Sequence, residues 1–113
     1  MLNTNLKHLE TAEEIKQVIA GNNMAMLCCG RMGPMCIPVY RAMERLEDRY
    51  PQVVFRDVDF DTEAADVIKT LPQCTSFMQL PFVVYTKKGA VAAAVSGIQS
   101  EEEIVAALDT YGT

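Results

Sequence analysis

The sequence predicts an α/β fold, a central mixed sheet of four to five strands flanked by four helices. Three observations carry this expectation. Met24–Cys29 is an unbroken apolar run between turn signals, as in a strand covered on both faces of a sheet. Stretches with apolar residues at helical spacing stand before and after it. Farther on, Pro81 opens a strand that turns back through Lys87-Lys88-Gly89 into a second apolar stretch, the pattern of an antiparallel hairpin.

Taken in order, Thr11 and Glu14 form a capping box, and Ile15, Val18 and Ile19 then recur at helical spacing up to Gly21, which predicts a first helix over 12–20. The central strand over 24–29 follows. A second helix begins near Cys36, because Val39, Met43, Leu46 and Tyr50 share one stripe while Arg41, Glu44, Arg45 and Asp48 lie elsewhere; it ends before Pro51. Val- and Phe-rich Gln52–Phe60 reads as the next strand, and Asp61 is expected to cap a helix carrying Ala64, Val67, Ile68 and Leu71. Residues 72–80 are irregular. Phe82–Tyr85 and Ala90–Val95 form the hairpin, with Pro81 at the one strand position where no donor is lost. Ser100 with Glu103 makes a second capping box, and Ile104, Ala107, Leu108 and Tyr111 give the last helix its apolar face.

Composition narrows the class. A chain of 113 residues, 50% hydrophobic and 22% charged, fits one globular domain and excludes disorder or a collagen-like repeat. Its apolar runs are far below the roughly 18 residues that a membrane-spanning helix needs. Met1–Lys7 is polar and lacks the apolar core of a secretory signal, so a cytoplasmic protein is expected. A net charge of -5 without a basic cluster disfavours binding to nucleic acid. The four cysteines, Cys28, Cys29, Cys36 and Cys74, lack the close pairs of a zinc site and read as reduced thiols.

Gly89 lies eight residues after Pro81 and Gly97 sixteen after it, while Tyr50 stands fourteen after Cys36. With these spacings nearly the whole chain resembles the thioredoxin family, whose members carry C-x-x-C at the start of the second helix and a cis-proline before the hairpin. Gly33-Pro34-Met35-Cys36 then resembles the family's C-P-x-C site, with glycine at the position of the attacking cysteine. Met32 stands where the family usually has tryptophan, Leu27 where it has a buried acid, and Arg41 where it has a helix proline.

The resemblance implies a thiol–disulfide oxidoreductase involved in cell redox homeostasis. Its catalytic segment would be Gly33, Pro34, Met35 and Cys36, and its substrate-binding positions Met32, Leu80 and Pro81. Partners would be protein or peptide disulfides and thiols, with a thioredoxin-reductase-type electron donor; a monomer without cofactor or metal is expected. A cysteine at a helix N-terminus is favoured as a thiolate by unpaired N–H groups and the helix dipole. Gly33 takes that post here, leaving Cys36 in the resolving role. Three thiol arrangements are open: Cys36 acting alone, exposed because Gly33 cannot cover it; Cys36 with Cys29; or Cys36 with Cys74. Strand alternation lets only one of Cys28 and Cys29 face a given partner. Against these stands the plainer reading of Cys28 and Cys29 as core filler, Cys74 as incidental and Cys36 as inert. The alternative function is a redox-inactive module that holds peptides along the Pro81 groove.

Other signals are weaker. Met32, Met35 and Met78 are expected at the rim of the site, where an adaptable apolar surface for peptides is favoured over a Cu(I) site completed by Cys36. Met24, Met26 and Met43 fall on core positions. Asp57, Asp59 and Asp61 open like a calcium loop, but Thr62 and Ile68 occupy positions that need glycine and glutamate. His8 receives no catalytic role.

Overall fold

The computed structural model describes residues 2–112. Five strands, β1 (Lys7–His8), β2 (Met24–Gly30), β3 (Val54–Asp59), β4 (Phe82–Lys87) and β5 (Ala90–Ser96), form one sheet in the order β1-β3-β2-β4-β5. The first two pairings, β1 with β3 and β3 with β2, are parallel; β2 with β4 and β4 with β5 are antiparallel. Four helices cover it: α1 (Ala12–Gly21), α2 (Ile37–Leu46), α3 (Ala65–Lys69) and α4 (Glu101–Tyr111). This is the mixed α/β architecture the sequence predicts.

Strand β2 is buried at every position, so its side chains divide between two cores by alternation. Met24, Met26 and Cys28 pack with Phe55, Val83 and Tyr85 beneath α2 and α4, against Tyr40, Met43, Leu46, Ile104 and Leu108. Ala25, Leu27 and Cys29 face the opposite way, toward Ile15 of α1, Ala65 and Ile68 of α3, and Cys74. Both capping boxes are present, Thr11 with Glu14 and Ser100 with Glu103. Lys88 and Gly89 both have positive φ, as a two-residue hairpin turn of type I′ requires.

Three expectations change. Strand β1 has no counterpart in the sequence reading, because two polar residues carry no periodicity; its partner β3 defines it. Helix α3 is short, and Asp61 does not cap it: the N-cap is Ala64 without a side-chain bond, and Asp61 is engaged by Arg31 instead. The carboxylate of Asp57 is fully buried, although the sequence suggests only a strand-end acid. It accepts from the Thr4 hydroxyl at 2.5 Å, and its other oxygen faces His8 Nδ1 at 2.5 Å. His8 therefore has a structural partner.

Candidate active site at the Cys36 and Pro81 junction

The site forms where β2 ends and α2 begins. Gly30 closes β2, and a Cβ there would lie 2.8 Å from Cys36 Sγ, 2.8 Å from Tyr40 Oη and 3.2 Å from Pro81 Cβ. All three atoms converge on one spot that only a residue without a side chain leaves free. Cys36 is the N-cap of α2, and Pro38 in the first turn removes an N–H that would have no helical partner. The preceding turn is held by the Gly33 carbonyl, which accepts from the amides of Cys36 and Ile37 at 3.1 and 3.0 Å.

Across from this turn, the Leu80–Pro81 peptide bond is cis. The Gly97 amide donates to the Pro81 carbonyl at 3.0 Å, and Gly97, at φ +84°, leaves room for the Gln79 side chain that a Cβ would strike. Between the two loops runs a groove of about 510 Å³ lined by Arg31, Gly33, Pro34, Met35, Cys36, Gln79 and Leu80. No atom stands within 4 Å of the place a Cβ on Gly33 would take, so that position opens into free space.

The structure thus brings together Gly33, Pro34, Met35, Cys36, Leu80 and Pro81. Cys36 itself is only 2% exposed, which corrects the expectation that Gly33 would leave it uncovered: its sulfur turns inward toward Gly30 and Tyr40. The accessory thiols also differ from expectation. Cys29 lies on the sheet face opposite Cys36 and packs in the same core as Cys74, whereas Cys28 shares the core of Cys36. Alternation along β2 therefore selects Cys28 as the thiol on the Cys36 side, and removes Cys29 and Cys74 from it. All four cysteines are free and buried. Burial pushes the Cys28 thiol well up, the Cys29 thiol up to about 12 and the Cys74 thiol upward.

Met32 is also placed differently. It packs against the α2-side core, with its sulfur accepting from the Asn3 amide at 3.4 Å, and does not line the groove. Met35 does line it, while Met78 (94% exposed) and Ile98 (51%) are large apolar side chains open to solvent. Among the described residues, no group of three or more His, Cys, Asp or Glu side chains is arranged to hold a metal.

Sequence reasoning missed four contributors to this region. Arg31 lies in the groove wall and donates to both carboxylate oxygens of Asp61, its Nη2 at 2.7 Å from Oδ1 and its Nε at 2.9 Å from Oδ2. That pairing holds the exposed Asp61 carboxyl below its ordinary range. Gln79 braces Gly97. The third contributor, Tyr40, is fully buried behind Gly30, with no hydrogen-bond partner for its hydroxyl. Asp57 sits on β3 in register with Cys28, and burial raises its carboxyl despite the opposing bonds from Thr4 and His8. For Tyr40 the available signal was its spacing four residues after Cys36, which places both on one helix face.

The architecture has close counterparts among solved structures. Thioredoxin from Plasmodium falciparum matches with a TM-score of 0.78 at 19% identity, over 94% of this chain and 99% of that one. Thioredoxin from Fasciola hepatica matches at 0.78 and 21% identity, over 94% and 99%. Mitochondrial thioredoxin 3 from Saccharomyces cerevisiae, in oxidised form, matches at 0.77 and 21% identity, over 93% and 94%. The chain therefore has the thioredoxin fold. No protein-family model matches the chain, and no curated protein matches it in sequence.

Proposed function

We propose that this protein is a thioredoxin-like thiol–disulfide oxidoreductase of cell redox homeostasis that works through Cys36, with Gly33 at the position of the attacking cysteine. The observation that supports this most is the convergence of Cys36 Sγ and Pro81 Cβ on Gly30, beside a groove that can receive an extended chain. In this reading a substrate peptide lies along Leu80 and Pro81. The Cys36 thiolate attacks one sulfur of its disulfide, so a Cys36–substrate disulfide forms and the other substrate sulfur leaves as a thiolate. No second thiol of the chain lies on the groove to displace the product. Two thiols from outside, supplied by the electron donor, complete the cycle: the first attacks Cys36 Sγ and releases the substrate thiolate, and the second attacks the donor sulfur, frees Cys36 and leaves the donor as a disulfide. Protein or peptide thiols and disulfides are the substrate class, and the cytoplasm, where thiols stay reduced, is the compartment proposed.

The insulin-reduction assay tests this. Slow turnover that disappears in Cys36→Ser is expected, and Gly33→Cys is expected to raise it, since residue 33 faces open space. Absence of turnover in Gly33→Cys would overturn the placement of the site. A second reading, a peptide-binding module without redox turnover, is favoured by the burial of Cys36 in a groove that exposed Met35 lines. Peptide binding that persists in Cys36→Ser, with no turnover in the unaltered chain, would select it.

A further inference from the structure

Tyr40 carries a feature that the fold alone does not explain. Its ring fills the core beneath α2, yet its hydroxyl is buried without a hydrogen-bond partner. Buried hydroxyls in folded proteins are almost always bonded. This one lies 2.8 Å from the Cβ position of Gly30, as does Cys36 Sγ, so both atoms face one small space without being hydrogen-bonded to each other. Cys36 and Tyr40 are one helical turn apart on α2, which carries both side chains toward that point together.

We propose that the Tyr40 hydroxyl is the hydrogen-bond donor that stabilises the Cys36 thiolate. The inference rests on the reading of Cys36 as the exchange thiol. Once an external thiolate has attacked Cys36 Sγ and released the substrate thiolate, a second external thiolate attacks the donor sulfur of the Cys36–donor disulfide, and a new S–S bond forms to that sulfur. The bond to Cys36 breaks, and its electron pair arrives on Sγ as negative charge. A buried donor that no other group holds in the resting state needs only a small shift to meet that charge, and breaks no bond to do so. The phenol keeps its own proton, because burial and the neighbouring Cys28, Cys36 and Asp57 push its ionisation far upward. Other groups cannot easily take this part. Arg31, the cation whose field reaches Cys36, is already bound to Asp61. Cys28 from β2 and Asp57 from β3, which face the same space, would repel a thiolate if ionised.

Tyr40→Phe tests the proposal, since it deletes one oxygen and keeps the ring. The thiolate of Cys36 is followed by ultraviolet absorbance against pH, with Cys36→Ser supplying the background from the other thiols. Loss of a hydrogen bond to a charged group is expected to move the Cys36 titration upward by about one pH unit and, since a more basic thiolate is also a stronger nucleophile, to slow its exchange with a small disulfide about threefold at neutral pH. The urea midpoint is expected to stay level or rise, because the deleted hydroxyl has no partner to lose. An unmoved titration and exchange rate would overturn the inference, as would a fall in the urea midpoint. Neither readout needs turnover, so a failure of insulin reduction speaks against the oxidoreductase reading separately.

Discussion

Adding one methyl group at Gly30 is the sharpest test of how the site is packed. In Gly30→Ala the new carbon would stand 2.8 Å from both Cys36 Sγ and Tyr40 Oη and 3.2 Å from Pro81 Cβ. Ordinary contacts between carbon atoms lie near 3.5–4.0 Å, so several tenths of an ångström must be found on three sides. Little slack exists. Cys36 and Tyr40 are anchored on α2 and buried, and Pro81 is held by its bond from Gly97. Overpacking of this kind costs about 1–3 kcal/mol. The lower backbone freedom of alanine in the unfolded chain returns about 0.4–1 kcal/mol, because Gly30 has an ordinary strand conformation. The net expectation is destabilisation by about 1–2 kcal/mol, a fall in Tm of roughly 4–10 °C. Urea unfolding should show a lower midpoint at unchanged slope. In a Tyr40→Phe background the same methyl loses one of its two closest contacts, so the double-mutant cycle should show coupling of about 0.5–1 kcal/mol. A Gly30→Ala protein as stable as its parent, or strictly additive effects, would refute the convergence of Cys36, Tyr40 and Pro81 on this point.

Other perturbations address separate parts of the molecule. Asp57 has a carboxyl raised by burial from its ordinary 3.8, so the folded state holds that proton more tightly than the unfolded chain. Its contribution to stability is present below the ordinary range and lost as pH rises through the raised value; Asp57→Asn should flatten the stability curve just above pH 3.8, and an unaltered difference between the two curves would count against it. Thr4→Val deletes a hydroxyl bonded to this buried carboxylate and should cost about 1.5–3 kcal/mol by urea unfolding. Cys28, Cys29 and Cys74 should resist iodoacetamide at neutral pH in the folded protein and react in urea, as mass spectrometry would report; native labelling of Cys28 or Cys29 contradicts their burial. Met35→Ser should weaken a groove-bound peptide by about 1 kcal/mol, roughly fivefold in Kd by titration calorimetry, and leave folding intact.

Most of the architecture was legible because its signals are local. The two capping boxes fix where α1 and α4 start through bonds between residues three apart. The unbroken apolar run of β2 announces burial on both faces, and a glycine after two lysines marks the hairpin. What the sequence left open depends on partners distant in the chain. Strand β1 exists through its ladder with β3. The burial of Asp57 follows from the N-terminal segment laying Thr4 and His8 over it. At the site, the resemblance to the thioredoxin family placed Gly33, Cys36 and Pro81, but the facing of the thiols was not legible. Alternation says that one of Cys28 and Cys29 faces Cys36; which one is set by the register of β2 with β3 and β4. Tyr40 escaped notice because a buried aromatic on a helix reads as ordinary core until the surroundings of its oxygen are known.

The central strand is flanked by β3, which follows it after α2, and by β4, which comes only after α3 and the long loop. The groove is framed by the turn leading into α2 on one side and by residues 79–80 on the other. A nascent chain that has made everything up to α3 still lacks the second wall of this cleft. Docking of the last hairpin, a contact between remote stretches and therefore slow to find, completes the cleft and the sheet in one stroke.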